Sequence, residues 1–322
     1  MRSSFKKITL ATAALLISGG AAASASYPEN SVRIIVPYQA GQGTDIATRY
    51  FADHLTKTLG QTFYVENIGG AGGVIGTQAA ARAAGDGYTL TMGTNATHVL
   101  NEYMYSSMGF NPSTDFEPVI LTGTLPMAIV TKPDSPFKSI KDIIEAAKSS
   151  SHSADVATPS TSARLVFELL KEQSGAPLFM IPYKGSAMAM TNVIGGQVPI
   201  SIDTITASRP QVEGKKLRAI AVTSGRPTDL LPGVPSVAEQ GLAGFEVVAW
   251  NALYAPKGTP AEIITKVNLA LQAFLAMPET QARLHSMGYE PGGGTPTDLA
   301  TFAESERNKW RPIIEKAGLK VK

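Results

Sequence analysis

The stretch Val32–Arg49, VRIIVPYQAGQGTDIATR, sets the terms for the rest of the chain. Val32 to Val36 are apolar apart from Arg33 and mostly β-branched, which suits a strand. Pro37 ends the strand, and Gln39, Ala40, Gly41, Gln42 and Gly43 form a loop of small and amide residues. Thr44 or Asp45 is placed to cap a helix running from Ile46 to about Leu59. A strand, a glycine loop and a helix N-terminus in that order leave unpaired backbone N–H groups past the carboxyl end of a strand. Free amides and the positive end of a helix dipole favour an anion there. Taken alone, the stretch fits a tight turn equally well.

The same arrangement returns along the chain. Phe63–Asn67 is a second predicted strand, followed by Gly69–Gly73, a small-residue helix over Gly76–Ala84, and a third strand, Tyr88–Met92, ending at Gly93-Thr94-Asn95. Short loops between alternating strands and helices predict a parallel sheet. Right-handed crossovers would set successive strands side by side, with the loops at Gly41 and Gly72 on one sheet edge. Pro118–Gly123 and Met127–Thr131 are two further predicted strands, and Ser139 with Asp142 forms a capping-box variant opening a helix to Lys148. A second alternating set follows, with strands Asp155–Thr158, Leu178–Pro182, Pro199–Asp203 and Leu217–Thr223 and helices Ala163–Gln173 and Ser186–Ile194. A strand over Phe245–Ala255 and helices Thr259–Ala276, Glu279–Met287 and Thr297–Lys316 complete the chain. The helices are expected on the first sheet. The fold class is therefore α/β with two domains, 26–125 plus 246–322 and 126–245, joined by two crossover segments.

The N-terminus carries an address. Arg2, Lys6 and Lys7 precede the apolar run Ile8–Ile17 and an A-x-A site at Ala23-Ser24-Ala25, the pattern of a signal peptide over 1–25. Its removal takes three basic residues and no acids, leaving 25 Lys+Arg against 26 Asp+Glu, a net of −1. The basic balance of the full chain is thus no pointer to nucleic acid. With no cysteine, disulfides, thiolate metal sites and a lipidated cysteine are ruled out. No later apolar run reaches the roughly 18 residues of a membrane span. An exported, cysteine-free chain suits a periplasm.

Catalytic and cofactor patterns are weak. Gly70-x-Gly72 begins a dinucleotide fingerprint, but Ile75 stands where the third glycine belongs and no acid ends the next strand. His54, His98, His152 and His285 share no metal-ligand spacing, and no G-x-S-x-G elbow occurs. No cofactor or metal is expected. What recurs is loop chemistry just past the strands. Tyr38 through Thr44, then Ala71, Gly72 and Gly73, then Thr94 and Asn95 supply the first unit's share. Thr158, Ser160, Thr161 and Ser162, then Tyr183, Lys184 and Gly185, supply the second. All but the Thr94-Asn95 loop run into a predicted helix. Donors from both units converging on one crevice describe an anion clamp. Asp203 ends a strand beside it; facing an anion it would repel, so it is expected to hold donors, a water, or a ligand hydroxyl or amine. An ester hydrolase using Ser160 or Ser162 is the alternative.

The assembled segments resemble the substrate-binding proteins of tripartite tricarboxylate transporters, the Bug family of periplasmic receptors. The resemblance runs through IVPYQAGQGTDIATR (35–49), VENIGGAGGVIGTQAAA (65–81), DGYTL (86–90), IPYKGSAMAMTNVIGGQVPISIDT (181–204), LRAIAVTS (217–224) and LLPGVPSVAEQGLAGFEVVAWNALYAPKGTPAEII (230–264). It implies a two-domain, type II Venus-flytrap fold and a monomeric, non-catalytic receptor for a small carboxylate, which it delivers to the transporter's membrane components. It also implies one ligand carboxylate held by the first-domain loops through backbone amides and ordered waters. The chain departs from the family at Tyr38, usually Phe, at Gln42, usually Gly, at Ile68-Gly69, usually Arg-Pro, and at Ala157–Pro159, where a glycine is usual. Those changes point toward a flatter or less polar acid, such as an aromatic one.

Overall fold

The computed structural model describes residues 27–320, so the expected leader and its cleavage point lie outside the described residues. β1 (Val32–Val36) leads through α1 (Gly43–Leu59), β2 (Phe63–Asn67), a 3₁₀ turn at Ala71–Gly73 and α2 (Val74–Ala81) to β3 (Thr89–Thr94). β1 pairs in parallel with both β2 and β3. The strand order is therefore β2-β1-β3 and not the simple succession expected, because the second crossover returns over β1. The loops after β1 and β3 part at that switch, which opens a crevice at the carboxyl ends of the strands.

α1 begins three residues earlier than predicted, since Gln42 is the extended residue before it and Gly43 and Thr44 are already helical. Neither Thr44 nor Asp45 caps it. The Asp45 carboxylate instead accepts from the Gly41 N–H at 2.9 Å and from Asn67 Nδ2 at 2.9 Å, and pairs with Arg49 at 2.9 Å. The glycine loop is thereby pinned to the helix it precedes. After β3 come a π-helical turn (Ala96–Leu100) and α3 (Asn101–Met104).

β4 (Phe116–Thr131) is one strand of 16 residues where two were expected. The ladder with β9 shifts register between Pro118 and Ile120 and between Leu121 and Gly123 and ends at Pro126, where the strand changes partner and continues. The second unit then runs α4 (Ile140–Ser149), capped by Ser139 and Asp142 as predicted, β5 (Val156–Thr158), α5 (Thr161–Ser174), β6 (Met180–Pro182), α6 (Ser186–Ile194), β7 (Ile200–Thr204), α7 (Ile205–Glu213) and β8 (Arg218–Val222). α7 was not expected. Pro210 hides it, and Thr204, leaving β7, caps it by accepting from the Ala207 N–H. The chain returns through β9 (Val248–Pro256), α8 (Ala261–Leu275), α9 (Pro278–Ser286), β10 (Glu290–Gly293) and α10 (Pro296–Ala317). β10, EPGG, has no strand propensity and exists because it lies against Leu121–Thr124 of β4.

One curled sheet results, ordered β2-β1-β3-β9-β4-β7-β5-β6. β4 pairs with β9 from Phe116 to Pro126 and with β7 from Met127 to Thr131. Thr223 ties the second crossing to the first: its hydroxyl donates to Val247 O at 2.6 Å and accepts from the Met127 N–H at 3.1 Å. No helix among the described residues is long and apolar enough to cross a membrane.

α8 packs on the first sheet as expected, with Val267 and Leu271 buried among Ile34, Leu55 and Leu253. α10 does not stay there. Its Leu299, Trp310 and Ile314 join a core shared by Val99 and Leu100 of one half and Leu165 and Phe167 of the other. Glu306 Oε2 accepts from the buried indoles of both Trp250 at 3.0 Å and Trp310 at 3.1 Å, fixing α10 to β9 beside the crossing. A buried N–H without an acceptor costs about 1–3 kcal/mol. Glu306→Ala should therefore lower the unfolding free energy in urea by at least about 2 kcal/mol, and Glu306→Gln by less. An alanine variant within about 0.5 kcal/mol of the parent would show that this pair does not anchor α10.

Candidate functional site

The loops after β1 and β2 face those after β5 and β6 across a cleft of about 590 Å³. Tyr38, Gln39 and Gln42, the run Gly69–Gly73, Met104 and Tyr105 form one wall. Thr158–Thr161, Arg164, Met180, Pro182, Tyr183 and Lys184 form the other. An adjoining void of about 30 Å³ lies between Gly43, Thr44, Thr94, Asn95 and Asn251 on one side and Ser162, Ser186, Asp203 and Thr204 on the other. That volume is enough for about one water molecule.

Most predicted residues meet here. Tyr38, Gln39, Gln42, Ala71, Gly72, Gly73, Thr158, Ser160, Thr161, Tyr183 and Lys184 line the cleft, and Gly43, Thr44, Thr94, Asn95, Ser162 and Asp203 line the void. Ala40 and Gly41 line neither, because α1 starts early and turns the loop's middle outward, where both are exposed. Gly185 also misses both; a Cβ added there would come within 3.4 Å of the Gln39 and Gln42 side chains. Ile68, taken as added apolar surface, packs against the shared core and not into the cleft.

Several contributors were not foreseen, Met104, Met180 and Thr204 among them, and three more carry polar chemistry. Arg164 lies one turn into α5, which was read only as an amphipathic helix. Tyr105 follows α3 with no pattern to mark it. Asn251 had a signal, an amide within the buried strand VAWNALYA.

The local folding explains the donors. Gly70, Ala71, Gly72 and Gly73 all have positive φ, between 47° and 134°, a run of the kind that bares backbone amides ahead of a helix, although the Gly73 N–H is already donated to Gly70 O at 3.0 Å. Gln42, Ser160, Gly185 and Thr204 immediately precede α1, α5, α6 and α7, whose N-termini give the region positive potential. Arg164 and Lys184 are the charged residues of the cleft wall, and no carboxylate lines it.

The void has the opposite character. Asp203 is 3% exposed, with Oδ1 accepting from the Thr204 N–H at 2.8 Å and Oδ2 without a partner. Burial pushes its carboxyl up to about 7, against the opposing pull of Ser186 and Thr204. Asn95 Nδ2 and Asn251 Nδ2 are also buried and unpaired, while their oxygens accept from Ser162 at 3.0 Å and Thr44 at 3.1 Å. Two donors and one acid thus remain unsatisfied around a void sized for water.

The walls touch. A Cβ on Gly72 would lie 2.5 Å from Thr161 Oγ1 and 2.8 Å from Tyr105 OH, and one on Gly43 would lie 2.6 Å from Thr204 Oγ1. Gln42 Nε2 also donates to Pro159 O across the gap at 3.3 Å. Gly43 is helical with ordinary φ, so close approach and not backbone freedom is what it provides. Ser160 Oγ accepts from the Ala163 N–H as the cap of α5, and Ser162 Oγ donates to Asn95. Neither serine is paired with histidine. His98 is buried, its Nδ1 against Thr97 Oγ1 at 2.9 Å, and burial, with Arg307 nearby, pushes it down to about 3. No three His, Asp or Glu among the described residues are grouped to hold a metal ion.

Comparison with known proteins gives this geometry its context. Residues 47–319 match the model of the Tripartite tricarboxylate transporter family receptor. Protein BugT of Bordetella pertussis is 32% identical over 300 residues, 92% of each chain. R. palustris Rpa4515, solved with adipate, superposes with a TM-score of 0.88 at 33% identity, over 92% of this chain and all of that one. The periplasmic binding protein BugD superposes at 0.86 with 36% identity, over 92% and 100%. The shared architecture is the two-domain α/β fold of periplasmic binding proteins.

Asp203 gives the site a pH signature. An acid whose pKa is raised by folding holds its proton longer in the native state, so stability is greatest below the unfolded value near 4 and falls as pH rises toward about 7. Melting temperatures between pH 4.5 and 7.5 should decline on this account, and Asp203→Asn should flatten that decline. An identical profile in the asparagine variant would mean that Asp203 is ionised throughout.

Proposed function

Because the chain belongs to the family of tripartite tricarboxylate transporter receptors, we propose that it is a monomeric, exported solute-binding protein. It closes two lobes on an organic mono- or dicarboxylate and delivers it to the membrane components of such a transporter. The lobes are bounded where β4 and the chain entering β9 change sheet partners, close to 126 and 247. The observation that carries the reading is the cleft lining, where Arg164, Lys184 and the glycine loop Gly69–Gly73 come together without a carboxylate. An anion binds the closed arrangement best because only there do both sets of donors reach it, and that difference in affinity drives closure. Adipate in Rpa4515 is a carboxylate of the proposed class.

Met104, Tyr105 and Met180 give the cleft apolar surface that suits the alkyl chain or ring of such an acid, so aromatic acids belong among the candidates. The ester-hydrolase alternative is disfavoured by the partners of Ser160 and Ser162.

A thermal-shift screen over mono-, di- and tricarboxylates, aromatic acids and carboxylate esters tests the reading. A stabilising acid, with no ester turned over, is the expected result; turnover without stabilisation would favour the hydrolase. Gly72→Val should abolish the shift while the protein still folds, because the added side chain meets Thr161 and must be borne at φ +62°. An undiminished shift would remove this loop from the site. N-terminal sequencing of the periplasmic fraction should begin at Ser26, and a product retaining Met1 in the cytoplasm would defeat the export reading.

A further inference from the structure

Asp203 lies where the two halves meet. β7 pairs it with Ala128, and pairs the next residue, Thr204, with Met127, the position at which β4 changes partners. The first half covers it: Gly43 and Thr44 of α1, Asn95 after β3 and Asn251 of β9 close the void on that side. The cover is tight. A Cβ on Gly43 would lie 2.6 Å from Thr204 Oγ1, and Ser162 Oγ donates across the gap to Asn95 Oδ1 at 3.0 Å. Asp203 Oδ2 is left buried and without a partner. No cation compensates it. Among the described residues, Tyr38 is the only other titratable group lining the void, and burial pushes its hydroxyl up, so it stays neutral. Arg164 and Lys184 line the cleft and not the void. The charged residues of neighbouring helices are engaged elsewhere, Asp45 of α1 with Gly41, Asn67 and Arg49, and Arg209 of α7 with Glu213.

We propose that Asp203 takes up a proton as the halves close, so that the cleft shuts on its anion together with that proton and opens when the proton is lost. The anion rests on the receptor reading above, and the proton on the joint and the void behind it. Swinging the first half away would return Asp203 to water, where a carboxylate ionises readily. In the closed arrangement an ionised Asp203 is a buried charge without a counterion, and that cost falls on closure. The neutral acid escapes the cost, and its O–H can serve as a donor inside the void. Burial accordingly raises its carboxyl to about 7 when the halves are together. Closure is therefore supported most below the ordinary carboxylate value near 4, and it loses that support as pH rises toward about 7.

The chain has no cysteine, so spin labels can be placed by Lys57→Cys and Lys171→Cys, at exposed positions near the far ends of α1 and α5, whose N-termini meet at the cleft and the void. Pulsed double-resonance distances on the labelled protein without added ligand, at about pH 5 and about pH 8, read the separation of the halves. The ratio of closed to open protein should fall about tenfold or more between the two, within the tenfold per pH unit that one proton allows. Adding Asp203→Asn, whose amide cannot ionise, should hold the short distance at both. The histidines are the same in both proteins and drop out of the comparison. Asp203→Ser serves in place of the asparagine variant if that one fails to fold. A distance in the parent that ignores pH, or an equal shift in the neutral variant, would overturn the inference. If pH leaves the labels unmoved while a carboxylate stabilises the protein in the thermal screen, the proton falls and the receptor reading stands. If the pH shift depends on Asp203 and no carboxylate binds, the proton stands and the receptor reading falls.

Discussion

One strand serving both halves of the curled sheet is the constraint on which the architecture depends. Every buried backbone group needs a partner, so β4 can bend only where its ladder passes from one neighbour to the next. That point is Pro126/Met127, where the neighbours β9 and β10 give way to β7 and β8, and Pro126 has no N–H to leave unpaired. Thr223 bonds to Met127 and Val247 together, so the two crossings are tied into one joint. A joint of this kind permits rotation of one half against the other and resists sliding. In the proposed receptor, closure of the cleft would turn on this joint.

The site divides its electrostatics by depth. The cleft wall carries two cations and the N-termini of several helices, while the adjoining void holds a buried acid and two unpaired amides. A carboxylate entering the cleft meets donors first and reaches Asp203 only through whatever fills the void. Burial raises the Asp203 pKa to about 7, so it is partly protonated near neutral pH and repels an anion in the cleft less than an ordinary carboxylate would. The same proton would let Asp203 donate a hydrogen bond as well as accept one.

Glycines here serve contact more than flexibility. Gly43 and Gly72 are two of the places where one half touches the other, and at each a single methyl group would meet a threonine hydroxyl of the opposite wall. The fit of the closed state is thus set by atoms that are not there. α10 adds to it from behind, since its Trp310 lies in a core drawn from both halves and its Lys316 reaches Glu172 on α5 at 3.4 Å.

Local chemistry was legible in the residue order. The strand-loop-helix units, the cap at Ser139, the glycine loops and most of the cleft wall follow from propensity, turn residues and helix N-termini, which act over a few residues. The sequence alone also determined the absence of cysteine, the leader-like N-terminus and the family resemblance. What it could not determine depends on residues far apart in the chain. The order β2-β1-β3, the fusion of two predicted strands into β4 and the existence of β10 are decided by which strands find each other, since EPGG becomes a strand only against Leu121–Thr124. Arg164, Tyr105 and Asn251 join the site for the same reason: no local signal says which wall a side chain will face. The pKa of Asp203 likewise belongs to the folded state, because desolvation is a sum over neighbours that only packing brings together.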